Sequence, residues 1–203
     1  CFREQTVKNT KLKGKTVLLR DDINSPSVKG KIVDNPRIAE AGQTIKLLEK
    51  AGAKVVVLAH QGRFGQDDCV SLKRHAEFLK KHGAKITFVN QIQGEKAEKE
   101  IKKLKNGQAV LLENLRASPE EEMNFDSKTK RELVKFLAPL GQLYLNDAFS
   151  NSHRNHESMV GFADKMPCFA GPLLEKELAG ANAVTSEAKH PAVFVLGGNK
   201  PAE

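Results

Sequence analysis

The sequence predicts an α/β domain of three layers, an open parallel sheet with helices on both faces. Two observations carry that prediction. Short β-branched apolar runs recur along the chain, and amphipathic stretches of helical period separate them, so strand and helix alternate about five times. The apolar runs cover residues 15–20, 54–59, 85–89, 108–112, 142–145 and 191–196. Each is nearly continuous in apolar character, as a strand covered on both faces must be. The first helical stretch, residues 37–50, places Ile38, Ala41, Ile45 and Leu48 on one stripe, and others follow at 72–81, 96–104, 128–137 and 173–184. Parallel neighbours need a long crossover, and each crossover here is a helix. Gly52, Gly83 and Gly107 mark the returns into strands, as helix C-terminal stops do.

The 203 residues carry 33 Lys and Arg against 25 Asp and Glu, a net charge of +8, with 39% hydrophobic residues. That composition suits one sizeable globular domain with a fragment of another and excludes acidic disordered tails and collagenous repeats. The three cysteines, Cys1, Cys69 and Cys168, form no C-x-x-C pair, so a disulfide scaffold is not expected and a reducing, cytoplasmic setting is. The longest aliphatic stretch, residues 55–59, is far below the roughly 18 residues of a membrane span. Surplus positive charge raises the expectation of a phosphate-bearing partner, whether nucleic acid, acidic membrane or small anion. Acid and base alternate at helical spacing through residues 94–105, which reads as a solvated helix face rather than a nucleic-acid stripe. One Tyr and no Trp leave little for stacking bases.

In open parallel sheets ligands bind beyond the carboxyl ends of the strands, so the informative residues follow each apolar run. They are Arg20 to Pro26 after the first, His60-Gln61-Gly62-Arg63 after the second and Glu113-Asn114-Leu115-Arg116 after the fourth. Asn146 to His156 follow the fifth, and Gly197-Gly198-Asn199-Lys200 the sixth. Four of these loops carry an arginine, the side chain that clamps phosphate or carboxylate in two-pronged fashion. Arg20, Arg63, Arg116 and Arg154 should therefore gather at one edge of the sheet around an anion. Asp22 and Asn24 suit a hydroxyl group, and both also make turns. Arg37 opens a helix after Asp34-Asn35-Pro36, which supplies an N-cap and a first-turn proline. A cation there opposes the helix dipole, so a ligand explains it better than the helix does.

Other chemistries find no support. Gly62-Arg63-Phe64-Gly65 is not the dinucleotide fingerprint, and Gly197 to Lys200 lacks the spacing of a phosphate-binding P-loop. His153 to Glu157 reads H-x-x-H-E rather than H-E-x-x-H, so no zinc protease is expected and no metal site is assigned. Ser150 and Ser152 lack the G-x-S-x-G elbow of a hydrolase.

At these strand ends the sequence resembles the phosphoglycerate kinase family, specifically its amino-terminal half. R-x-D-x-N-x-P appears as Arg20 to Pro26, D-x-x-R-I as Asp34 to Ile38, H-x-G-R as His60 to Arg63, and L-E-N-x-R as Leu112 to Arg116. N-D-A-F-x-x-x-H-R-x-H-x-S-x-x-G spans Asn146 to Gly161, and L-G-G-x-K closes at Leu196 to Lys200. The resemblance implies a Rossmann-like domain that binds 3-phosphoglycerate or 1,3-bisphosphoglycerate. Asp22 and Asn24 would meet the glycerate hydroxyl, while Arg63, Arg116 and Arg154, with His60, would hold the non-reacting phosphate. Arg37 would face the accepting carboxylate, with His153 beside it, and Lys200 would touch the transferred group. Gly197, Gly198 and Lys200 would approach the nucleotide. Mg-ATP or Mg-ADP belongs to the complete enzyme and is not expected on this chain.

The resemblance also implies boundaries. Residues 1–172 form the substrate domain, 173–190 an interdomain helix or linker, and 191–203 the first strand and turn of a nucleotide domain cut short. A Gly-Gly turn with five residues after it, and an opening at Cys1 rather than Met, carry that expectation. The chain alone should bind the glycerate without turning over ATP, as a monomer with no membrane or nucleic-acid partner. The competing reading is a diverged, non-catalytic domain whose basic cleft takes anions or nucleic acid. Departures from the family pattern bear on it: Asp21 sets two carboxylates together, Ser25 replaces an apolar residue and is expected to weaken the loop, and Asn199 and Pro201 flank Lys200.

Overall fold

The computed structural model describes residues 10–28, 30–126, 131–185, 193 and 195. Its centre is a six-stranded, all-parallel sheet. The strands are β1 (Thr16–Arg20), β4 (Lys54–Leu58), β5 (Ile86–Phe88), β6 (Gln108–Leu111), β7 (Leu143–Asn146) and β8 (Cys168–Ala170), in the spatial order β5-β6-β4-β1-β7-β8. A small antiparallel hairpin of β2 (Ser27–Val28) and β3 (Lys31–Ile32) follows β1. The helices are α1 (Pro36–Lys50), α2 (Lys73–Lys81), α3 (Glu95–Lys103), α4 (Glu132–Leu137), α5 (Glu157–Val160) and α6 (Pro172–Thr185).

Alternate residues of the apolar strands feed two cores. Val17, Leu19, Val55, Val57, Leu143 and Leu145 pack with Ile38, Ala41, Ile45 and Leu48 of α1 and with Phe78 and Leu79 of α2. Leu18, Val56, Leu58, Val110 and Tyr144 face the other way, onto Ala97 and Ile101 of α3 and Leu133, Val134 and Leu137 of α4. Both faces are therefore dry, which explains why the strand runs show no polar alternation.

The expected strands at 15–20, 54–59, 85–89, 108–112 and 142–145 form within a residue or two of those bounds. The sixth strand of the sheet, β8, is not among the expected strands, and the expected strand at 191–196 lies outside the described residues apart from the exposed Val193 and Val195. Three residues between Pro167 and Gly171 are too few to show a periodicity, which is why β8 was not legible. Of the expected fourth helix, Glu132–Leu137 is helical, and Arg131 before it sits in the left-handed region at φ 57°. Residues 127–130 lie outside the described set.

The chain enters the sheet at its middle. β1 pairs β4 on one side and β7 on the other, so the connections leaving β1 and β7 diverge. That divergence is the switch point where open parallel sheets leave room for a ligand. Backbone pairing continues beyond the strands there: Asp147 N donates to Arg20 O and Asp21 N to Leu58 O.

Candidate functional site: a two-level cationic cluster

The loop after β1 is held by its neighbours on both sides. Asp22 is buried, and its Oδ1 accepts Asn24 N, while its Oδ2 accepts Arg37 Nη1 at 3.1 Å and Ser150 Oγ at 2.5 Å. One carboxylate thus joins the loop to the start of α1 and to the loop after β7. Asn24 Oδ1 accepts Gly62 N at 3.0 Å, and Arg116 Nη1 donates to Gly62 O at 2.6 Å. The Gly62 peptide is therefore clamped between the first and fourth strand loops. Only glycine fits this position: φ is +69° and a Cβ would lie 2.4 Å from the Asp68 backbone.

Arg37 does have a partner within the chain, Asp22, yet its side chain stays 53% exposed. The N-cap expected before it is present, with Asn35 Oδ1 accepting Arg37 N and Pro36 in the first turn. Asn35 also donates through Nδ2 to Ser25 Oγ at 2.7 Å, and Ser25 Oγ donates to Ile23 O at 2.9 Å. Ser25 therefore fastens the loop to α1 instead of weakening it, because a hydroxyl can both give and receive where an apolar residue would only pack.

Arg20 corrects the expectation of four open guanidiniums. It is wholly buried, with Nε donating to Ser158 Oγ, Nη1 to Asp21 O and Nη2 to His60 Nδ1 at 3.0 Å. Since arginine only donates, His60 Nδ1 accepts and the ring is neutral with its proton on Nε2. Burial, then the charges of Arg20, Arg116, His156 and Arg37, hold His60 well below its ordinary pKa. Arg116 is buried too, with Nε 3.3 Å from Glu122 Oε1. His156 is buried and is pushed down to about 4 by burial, then by Arg116, Arg20 and Arg154. Behind these cations Glu121 is fully enclosed, accepting from both Ser158 Oγ and Ser158 N, and burial raises its pKa.

The cluster has two levels. Arg20, His60, Arg116 and His156 are buried as its floor, Arg37 and Arg154 are exposed beside them, and Arg63 and His153 are exposed in the β4 and β7 loops. Arg20, Arg37, Arg116 and Arg154 all act electrostatically on His60 or His156, so these four are brought together. Arg63 follows the clamped Gly62, and its backbone N donates to Asp68 Oδ1. Gly197, Gly198 and Lys200 lie outside the described residues. A cavity of about 460 Å³ lies behind this cluster, but Glu120, Glu121 and Glu157 line it, which disfavours an anion.

Several residues that matter here stand in the strand-end loops but were given no role by the sequence. Asn114 is buried and clamps the second loop, accepting Gln61 N and donating to Gln61 O and Val70 O. Glu113 accepts Leu72 N at the start of α2 and Ser71 Oγ. Asp147 accepts Leu173 N and Leu174 N, capping α6 from a neighbouring strand, and accepts Thr44 Oγ1 of α1. Gly171 leaves it that room, since a Cβ there would lie 2.3 Å from Asp147 Oδ1. Asp21, its register neighbour one step past the Arg20–Asn146 pair, does not share a site with Asp22. It is buried on the α1 face, its Oδ2 without a hydrogen-bond partner, and burial and then Asp147 raise its pKa well above the carboxylate range.

Fold and cluster together define an open parallel α/β domain with a cationic cluster at its switch point. The chain belongs to the phosphoglycerate kinase family: the family model described as "Phosphoglycerate kinase" matches residues 7–203. A phosphoglycerate kinase of Pyrobaculum aerophilum is 44% identical over 191 residues, covering 93% of this chain and 47% of that protein. One of Sulfolobus acidocaldarius is 43% identical over 200 residues, covering 96% and 48%. The crystal structure of phosphoglycerate kinase from Pyrococcus horikoshii superposes with a TM-score of 0.82 at 37% identity, over 91% of this chain and 46% of that one. The chain spans about half the length of the relatives it matches.

Proposed function

We propose that this chain is the substrate half of a phosphoglycerate kinase, an enzyme moving a phosphoryl group reversibly between 1,3-bisphosphoglycerate with ADP and 3-phosphoglycerate with ATP, in the cytoplasm as part of glycolysis. The observation that carries the proposal is the gathering of the exposed Arg37 and Arg154 with the buried Arg20 and Arg116 around His60 and His156, beside the anchored Asp22 and Asn24. Arg63, Arg116 and Arg154, with His60, hold the non-reacting phosphate. Asp22 and Asn24 meet the glycerate hydroxyl, and Arg37 faces the carboxylate, with His153 beside it. Neutral His60 is a hydrogen-bond donor through Nε2, suited to an anion without adding a charge to the floor. Such a site works by placement and charge neutralisation, the main demands of phosphoryl transfer.

Residues 1–172 act as the glycerate domain, 173–190 as the link, and 191–203 as the start of the nucleotide half, where Gly197, Gly198 and Lys200 approach the nucleotide and Lys200 the transferred group. Among the described residues no group of three or more His, Cys, Asp or Glu is placed to hold a metal ion. Nor is any described helix long and apolar enough to cross a membrane. Titration calorimetry of the chain with 3-phosphoglycerate tests the proposal. Saturable binding that disappears in Arg63→Ala and Arg154→Ala is expected, with no ATP turnover in a coupled assay; absence of binding, or nucleotide-dependent activity of the chain alone, overturns it.

A further inference from the structure

Gln61 lies at the centre of the loops just described, yet no role in the site has been given to it. Its side chain is 1% exposed and makes three hydrogen bonds. Gln61 Oε1 accepts Ser25 N at 2.8 Å, and Gln61 Nε2 donates to Ser25 O at 3.0 Å. A side-chain amide paired with both backbone groups of one residue copies the two-point pairing of a strand. It adds a rung between the β1 and β4 loops where the sheet itself has ended. The backbone fixes which way round the amide lies, because Ser25 N–H can only give and Ser25 C=O can only receive.

The third bond comes from α2. His75 Nε2 lies 3.0 Å from Gln61 Oε1, an acceptor only, so Nε2 carries the proton and donates. His75 Nδ1 is then bare, consistent with its being buried without a partner. Burial holds this imidazole down to about 4, which keeps it neutral. The backbone of Gln61 is held in turn by Asn114 of the β6 loop, on both its N–H and its C=O. One residue thus touches all three loops that present Asp22 and Asn24 on one side and Arg63 and Arg116 on the other.

We infer that Gln61 is a positioning residue, which sets the spacing between the hydroxyl-binding arm (Asp22, Asn24) and the phosphate-binding arm (Arg63, Arg116) through its paired hydrogen bonds to Ser25. The inference rests on the glycerate reading proposed above. A ligand that bridges both arms needs the spacing, whereas a ligand that touches only the cations does not. Removing the rung should therefore change selectivity between ligands more than it changes stability.

The test compares 3-phosphoglycerate with inorganic phosphate on the wild-type chain and on Gln61→Met, which keeps length and bulk but none of the bonds. Calorimetry should show affinity for 3-phosphoglycerate falling about tenfold, as expected for two lost hydrogen bonds, with inorganic phosphate unchanged within about twofold. Equal losses for both ligands, or no loss for either, overturn the inference. His75→Leu is the second variant, should Gln61→Met fail to fold; it keeps the Ser25 pair but frees the amide, and a smaller loss of the same selectivity is expected. Amide hydrogen exchange reads the rung without any ligand. The Ser25 amide should be protected in the wild type and lose that protection in Gln61→Met while Leu18 in the core strand keeps its own. An unprotected Ser25 amide in the wild type overturns the inference. If the wild-type chain does not bind 3-phosphoglycerate, the functional reading fails, and the exchange measurement decides the role of Gln61 by itself.

Discussion

The two levels of the cationic cluster obey different rules. In the floor, Arg20 spends each of its three nitrogens on a named acceptor, and His60 gives up its own charge to lie beside it. In the exposed level, Arg37 keeps half its surface open while holding one ion pair, and Arg63 and Arg154 stand in solvent. A buried cation whose every nitrogen is taken, as in Arg20, has no donor left for a ligand and serves as scaffold. Arg116, whose Nε has no hydrogen-bond partner, and His60 through Nε2 keep donors to spare, and the exposed arginines are open to binding.

The sharpest way to break this contrast is Arg20→Ala. It leaves the Asp21 carbonyl and His60 Nδ1 without their donor in the dry interior and should cost about 3–5 kcal/mol in urea unfolding. A cost near zero would mean that the floor is solvated.

Acid acts next. His75 and His156 have folded pKa values of about 4 against 6.5 in the unfolded chain, and His60 shifts the same way. The unfolded chain binds more protons across that window, so stability is complete above pH 6.5 and is lost as pH falls toward 4, at up to about 1.4 kcal/mol per pH unit for each histidine. Urea midpoints measured across that range check the slope, which should flatten when His75 is replaced by leucine.

Asp21 runs in the opposite direction. Its folded pKa is raised, so the folded chain binds more protons and stability falls as pH rises above the unfolded value of 3.8. Asp21→Asn removes that titration, and it should stabilise the chain by more at about pH 7 than at about pH 5. The smallest change in stability is expected of Arg154→Ala, within about 0.5 kcal/mol, although 3-phosphoglycerate binding should be lost. A large thermal shift in that variant would move Arg154 into the floor.

The sequence disclosed the parallel sheet because strands covered on both faces are written as unbroken apolar runs. It also disclosed the loops, since four of the six ordered motifs fall at the ends of β1, β4, β6 and β7, while a fifth opens α1 and the sixth lies outside the described residues. Which arginines point inward was harder to see, although strand parity held the clue. Arg20 shares a face with Leu18, and on a sheet covered on both sides that places it indoors. Gln61, Asn114 and Ser158 stand in the strand-end loops and motifs, yet their partners, like those of Glu121, were not legible. Each acts through a partner distant in the chain, at separations of 36 residues or more, and no local pattern encodes such a meeting.

The cap that Asp147 places on α6 gives that helix an unusual mooring. Of its 14 residues only Leu174 is buried, so the helix hangs from one end. At 1.5 Å per residue it is a lever about 20 Å long whose fulcrum is a carboxylate at the tip of β7. The same loop runs on through Ser150, which grips Asp22, to Arg154. The base of the helix, and not its far end at Thr185, is therefore where α6 meets the loop that carries Arg154.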